Sequence, residues 1–145
     1  MMFGFARSAV LATNGDKGFP HLVPIVFGMV GEDTIVTAID HKPKTTTNLV
    51  RLANIKNDPL VSVLVDDYSE NWATLWWARA DGTATVVDTV DDHVAASLVN
   101  RYQEYTVTAP KGPWIIIKVS RWTGWAADMN RLDIQDDSPA PRRVK

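Results

Sequence analysis

The chain contains no cysteine, which excludes disulfides, thiolate metal sites and cysteine nucleophiles. Histidine is scarce: His21, His41 and His93 sit on separate segments. No two histidines or carboxylates fall at a ligand spacing on one element, so no metal site is expected. The neighbours Asp66-Asp67 and Asp91-Asp92 point apart and read as loop and helix-start residues. No G-x-S-x-G elbow offers a serine on an exposed turn, and no glycine-rich phosphate loop is present. No apolar run approaches the roughly 18 residues that suggest a membrane span. The start, MMFGFARSAVLAT, carries one Arg and no small-residue cleavage motif, so it reads poorly as a signal peptide and a cytoplasmic location is expected. Charge of one sign is also lacking: the net value of −2 gives no reason to expect nucleic acid as a partner.

What is present fits one domain. A chain of 145 residues with 46% hydrophobic content can bury a core without staples, and residues 1–138 read as a single unit. Residues 139–145 are polar, basic and proline-containing, and read as a flexible tail. Ser8 to Thr13 is a short apolar run followed by turn formers. Pro20 to Val30 is a second run, interrupted by Pro24, which belongs at an edge or a bulge because it cannot donate to a ladder. Thr34 to Ile39 is a β-branched strand. From Thr45 to Asn57, Leu49, Leu52, Ala53 and Lys56 take helical spacing, and Asn57-Asp58-Pro59 stops the helix. Leu60 to Val65 is a strand, and Trp72 to Val87 is a long one broken at Asp81-Gly82 by a hairpin turn or a bulge. Thr89 to Asp92 resembles a capping box. The helix it starts is expected to put Val94, Leu98, Tyr102 and Tyr105 on one face. Trp114 to Val119 is the last clear strand. Six or seven strands with two helices mean a mainly β fold, an antiparallel barrel with α additions.

Two segments carry candidate chemistry. Asp40 to Asn48 (DHKPKTTTN) lies between a strand end and a helix start, where free backbone N–H groups and the positive helix terminus point outward. Lys42 and Lys44 supply point charge for a phosphate, and Thr45, Thr46 and Thr47 supply hydroxyl donors. The plain alternative is N-capping with solvated lysines. However, lysines at a helix N-terminus oppose the macrodipole unless an anion offsets them. The second candidate is aromatic. Of six tryptophans, Trp72, Trp76 and Trp77 flank one strand, while Trp122 and Trp125 follow the last. Adjacent Trp76 and Trp77 face opposite sides, so one belongs to the core and the other is available to a cleft or partner.

Taken together, SAVLAT, Gly18 to Pro24, TIVTAIDHKPKTTTNL, Asp58-Pro59 and VSVLVD resemble the pyridoxamine-phosphate-oxidase-like proteins. LVDDYSENWATLWWARADGTATVV and GPWIIIKVSRWTGWAA resemble more closely a branch of deazaflavin (coenzyme F-420)-dependent oxidoreductases of that class, over about residues 7 to 127. The resemblance implies a split β-barrel of the FMN-binding-like type, a Greek-key barrel working as a homodimer with cofactor clefts between subunits. It implies hydride transfer between F-420, with FMN as the alternative, and a small organic substrate. A second alternative is a non-catalytic cofactor or tetrapyrrole carrier. By position, Lys42 and Lys44 match the cofactor-phosphate residues and Thr45, Thr46 and Asn48 the helix start beside them. Thr37, Ala38, Ile39 and Asp40 match a strand end along the ring, and Val23 and Pro24 a second backbone edge. Trp76, Trp77 and Arg79 match residues reaching across the dimer, and Trp122 and Trp125 the closing segment near the ring. The full arginine set of pyridoxamine-phosphate oxidase proper is missing, and no catalytic acid or base is assigned. The expected dimer buries Trp76, Trp77, Val61, Val63 and Val65 against a second copy.

Overall fold

A computed structural model of the chain describes residues 2–39 and 46–128. After a 3-10 turn at Met2–Phe5 come β1 (Ala9–Asn14), β2 (Pro20–Ile25), β3 (Gly28–Val30) and β4 (Thr34–Ala38). Then follow α1 (Thr46–Asn57), β5 (Leu60–Asp67), a 3-10 turn at Trp72–Thr74 and β6 (Trp76–Val87). The last elements are α2 (Asp92–Val99), α3 (Glu104–Val107) and β7 (Trp114–Ala126). All seven strands join one antiparallel sheet in the order β2-β1-β5-β6-β7-β4-β3.

That order forces closure. A flat sheet of seven strands spaced about 4.8 Å apart would separate its edges by roughly 29 Å. Yet the edge strands β2 and β3 are joined only by Val26 and Phe27, and three Cα–Cα steps reach at most about 11 Å. The sheet therefore curls until its edges meet at this corner, which makes it a split barrel. Pro24 sits where its missing N–H is harmless, on the edge strand β2 opposite Val10. The single run expected from Pro20 to Val30 is thus two strands at opposite edges of the sheet.

Strand alternation fills the interior. Leu11, Phe27, Ile35, Val63, Val65, Ala78, Ala80, Ile115 and Ile117 are buried there, with α1 adding Leu52 and Ile55. Among the described side chains of α1 the apolar stripe is Leu52 and Ile55, while Ala53 and Lys56 are exposed; that of Leu49 lies outside them. Buried Asn54 is satisfied by donating to Thr13 Oγ1 at 3.0 Å. Phe3 stacks edge-on against Trp122 (4.9 Å) and tilts against Phe27 (5.2 Å), plugging the barrel from the N-terminal turn. Val61, Val63, Val65 and Trp76 belong to this same core. The expectation that they wait for a second copy is corrected: alternation turns them inward, and the chain buries them itself.

The break at Asp81-Gly82 is a bulge inside one continuous strand. Asp81 pairs with Arg121 but Gly82 with Val119, so Ser120 is extra. The bulge lets Val119 and Trp122, three residues apart, both face the core. It also carries β7 on to Ala126, so Trp122 and Trp125 lie within the strand rather than after it. A Cβ at Gly82 would meet the Lys118 carbonyl oxygen at 2.3 Å, so only glycine fits there.

A second apolar cluster lies outside the barrel. Val36 and Ala38 of β4 and Trp114 of β7 are covered by Leu98 of α2 and by Tyr102. α2 is capped by Asp91, which accepts from Val94 N at 2.9 Å, rather than by Thr89. It ends at Val99, so Tyr102 and Tyr105 pack from the following turn and α3. Tyr102 Oη reaches the β2–β3 corner, accepting from Phe27 N at 3.1 Å with oxygens of Phe27 and Arg7 at 3.0 and 3.1 Å. Arg101 lies over the Phe27 ring at 4.8 Å and donates to Phe27 O at 2.8 Å and to Ala6 O.

Candidate functional site

The helices cover only one half of the barrel's outer face. Over β3, β4 and β7, α2 lies so close that a Cβ on Gly28 would meet Ser97 O at 2.3 Å. Over β2, β1, β5 and β6 the outward side chains stay bare: Leu22 is 61% and Leu60 60% exposed, with Leu64 and Tyr68 also open. Leu22, Leu60, Leu64 and Tyr68 thus give this face exposed apolar surface, which makes it a candidate binding surface.

The register fixes what stands on it. One row across the sheet reads Pro24, Val10, Leu64, Arg79 and Thr123; the next reads Leu22, Ala12, Ser62, Asp81 and Arg121. On the other side of the Arg79 row, Asp66, Trp77 and Trp125 line up. Between these rows runs a groove of about 450 Å³, within the size range of cofactor sites. Its floor is Val10, Ala12, Leu22 and Leu64, and its polar groups are Ser62, Asp66, Tyr68 and Arg79, with Trp77 beside them. A smaller polar recess of about 250 Å³, including Asn14, Ser62, Asp81 and Ser120, continues it. Partial desolvation, then the nearby Asp66 charge, pushes the Tyr68 phenol above its ordinary value, so it stays protonated at neutral pH. Thr123, opposite Arg79, is buried, and its Oγ1 has no partner among the described residues.

The residues expected from sequence separate into groups. Trp77 and Arg79 line the groove, and Trp125, buried, stands directly opposite Trp77. Trp76 and Trp122 point to the other side of the sheet, into the core, which does not suit contact with a ligand on this face. Pro24 is exposed on β2, and Val23 packs partly on the core. Thr37 is buried and donates to Val26 O at 2.8 Å, Ala38 lies under α2, and Ile39 is in the core with its N–H on Pro113 O. Thr46 and Asn48 fall in the first turn of α1. Asp40, Lys42, Lys44 and Thr45 lie outside the described residues, as does the tail from 139. Sequence reasoning missed Val10, Ala12, Leu22, Ser62, Leu64, Asp66 and Tyr68. The available signal was apolar Leu22 and Leu64 on the outward phase of their strands. Among the described residues no three His, Asp or Glu converge to hold a metal, and no helix is long and apolar enough to cross a membrane.

Comparison with known proteins agrees on the architecture. A conserved hypothetical protein from Mycobacterium tuberculosis superposes with a TM-score of 0.68 at 21% identity, over 95% of this chain and 88% of that one. The FAD binding protein from Mycobacterium smegmatis gives 0.58 at 20%, over 86% and 88%. HutZ, the heme storage protein from Vibrio cholerae, gives 0.60 at 15%, over 83% and 86%. At these identities the likeness concerns the fold. No curated protein sequence matches the chain. Residues 5–126 match the family described as pyridoxamine 5'-phosphate oxidase. With the match running through every strand of the barrel, the chain belongs to the pyridoxamine 5'-phosphate oxidase family.

Proposed function

We propose that this protein is a flavin- or deazaflavin-dependent oxidoreductase, with coenzyme F-420 as cofactor and FMN as the alternative, acting on a small organic substrate. The observation that carries the reading is the bare groove with Trp77 and Arg79 on the outer face of a barrel of this family. Its small apolar floor, aromatic side and polar edge at Ser62 and Arg79 fit a flat ring with one polar rim. When bound, the cofactor supplies the hydride chemistry, and the protein supplies position and electrostatics. Lys42 and Lys44, with the start of α1, would hold its phosphate.

A two-fold partner completes this site. Ala38 pairs with Trp114, and Trp114 with Val87. Arg79 stands eight residues back along β6, roughly 25 Å away at the rise of a strand. The β4 end leading to the phosphate loop and the Trp77–Arg79 face therefore lie at opposite ends of one chain's sheet. A homodimer pairing the bare faces lets the loop of one copy serve the groove of the other. The test titrates the purified chain with FMN, FAD and F-420, followed by fluorescence. F-420 is expected to bind more tightly than FMN, and the protein to purify nearly colourless. FMN retained in stoichiometric amount through gel filtration would reverse the cofactor assignment. Binding without turnover of any reduced cofactor would favour the carrier reading.

A further inference from the structure

We propose that Asp81, braced by Ser62, is a positioning residue for Arg79: it holds the guanidinium so that its terminal nitrogens meet paired acceptor atoms of the ligand in the groove. The inference rests on the groove being the ligand site. Arg79 and Asp81 are two apart on β6 and share its outer face. Arg79 Nε lies 3.2 Å from Asp81 Oδ1, an ion-pair distance, though its N–H direction misses a hydrogen bond. Ser62, directly across on β5, donates to the same Oδ1 at 2.6 Å. Ser120, the extra residue of the bulge, donates to the Asp81 carbonyl at 3.0 Å, so the aspartate is held at side chain and backbone alike.

The pair spans a boundary. Arg79 lines the apolar groove, whereas Asp81 lines the polar recess beside it. Among the described residues the two terminal nitrogens of Arg79 make no hydrogen bond. An ion pair whose side chains are 42% and 32% exposed adds little to stability. What it does provide is orientation: with Nε drawn to one side, the planar fork is left for a ligand offering two acceptors in one plane, a carboxylate or the acceptor edge of a conjugated ring.

Charge and position make opposite forecasts, which makes the proposal testable. If Asp81 merely neutralises Arg79, removing its charge tightens an anionic ligand; if it positions Arg79, binding loosens. F-420 and FMN are titrated into the wild type, Asp81→Asn, Asp81→Glu, Arg79→Ala and the double variant Arg79→Ala/Asp81→Asn. Asp81→Asn is expected to weaken binding about fivefold, and Asp81→Glu, which keeps the carboxylate, to restore most of it. In the Arg79→Ala background Asp81→Asn should do nothing further. Tighter binding, or an equal loss in that background, overturns the proposal. Ordering of the Arg79 side chain, read from Nε relaxation by NMR on the ligand-free protein, supplies an independent arm. It should fall in Asp81→Asn, and unchanged ordering overturns the proposal whatever binds. A wild type that binds neither cofactor, with this fall seen in the variant, sinks only the oxidoreductase reading.

Discussion

Replacing Tyr102 with Phe removes one oxygen from the corner that closes the barrel. Tyr102 is nearly buried and Phe27 wholly so, and the phenol is the partner of the Phe27 N–H at 3.1 Å. The carbonyl of Phe27 keeps a donor in Arg101 Nη1 at 2.8 Å, and the ring of residue 102 still fills its place against Trp114 and Leu98. The Arg7 carbonyl, 3.1 Å from the phenol, belongs to an exposed residue and can turn to water, so the loss reduces to one stranded, buried N–H. Leaving such a donor unsatisfied costs about 1–3 kcal/mol. For a chain of this length that corresponds to a fall in Tm of roughly 3–10 °C. Equilibrium urea unfolding at fixed protein concentration should show a lower midpoint with an unchanged slope. Tyr68→Phe, on the exposed groove, serves as control and should stay within about 0.5 kcal/mol of wild type. A Tyr102→Phe protein as stable as this control would refute the claim that the phenol seals the β2–β3 corner.

Further outcomes follow from the same structure. Gly28→Ala drives a methyl into the Ser97 carbonyl, which is backbone and cannot step aside. Thermal unfolding should register a loss of about 1–3 kcal/mol, the usual scale of overpacking. Lys44→Ala should weaken F-420 or FMN by roughly 1.5–3 kcal/mol, the scale of a hydrogen bond to a charged group. Unchanged dissociation constants for both Lys44→Ala and Lys42→Ala would remove the loop as the phosphate site. By sedimentation at micromolar concentration the wild type should run at twice its chain mass, and Trp77→Ala should lower that mass and cofactor binding together. A wild-type monomer would sink the shared cleft, and a Trp77→Ala dimer that keeps its cofactor would shift the role to another residue.

Much of the architecture was legible residue by residue. The β-branched runs Thr34 to Ile39 and Leu60 to Val65 form the strands Thr34–Ala38 and Leu60–Asp67, Asn57-Asp58-Pro59 ends α1, and Asp81-Gly82 marks an irregularity. These features depend on backbone preference and on a period of two or 3.6, which act over a few neighbouring residues. The exclusion of cysteine chemistry is likewise complete in the composition.

Only the tertiary structure decided which face of each strand looks inward and which edges meet. Val61, Val63 and Val65 are equally apolar whether they face a core or a partner. What places them in the core is the curling of the sheet around Val26 and Phe27. Trp76 and Trp77 share a propensity, yet alternation against β5 and β7 buries one in the barrel and sets the other on the groove. The groove draws on β1, β2, β5 and β6, so residues as far apart as Val10 and Arg79 become neighbours through cross-strand register. Local pattern determines that a strand forms. Register, bulge and closure are set by packing across the whole sheet, and they decide what that strand can bind.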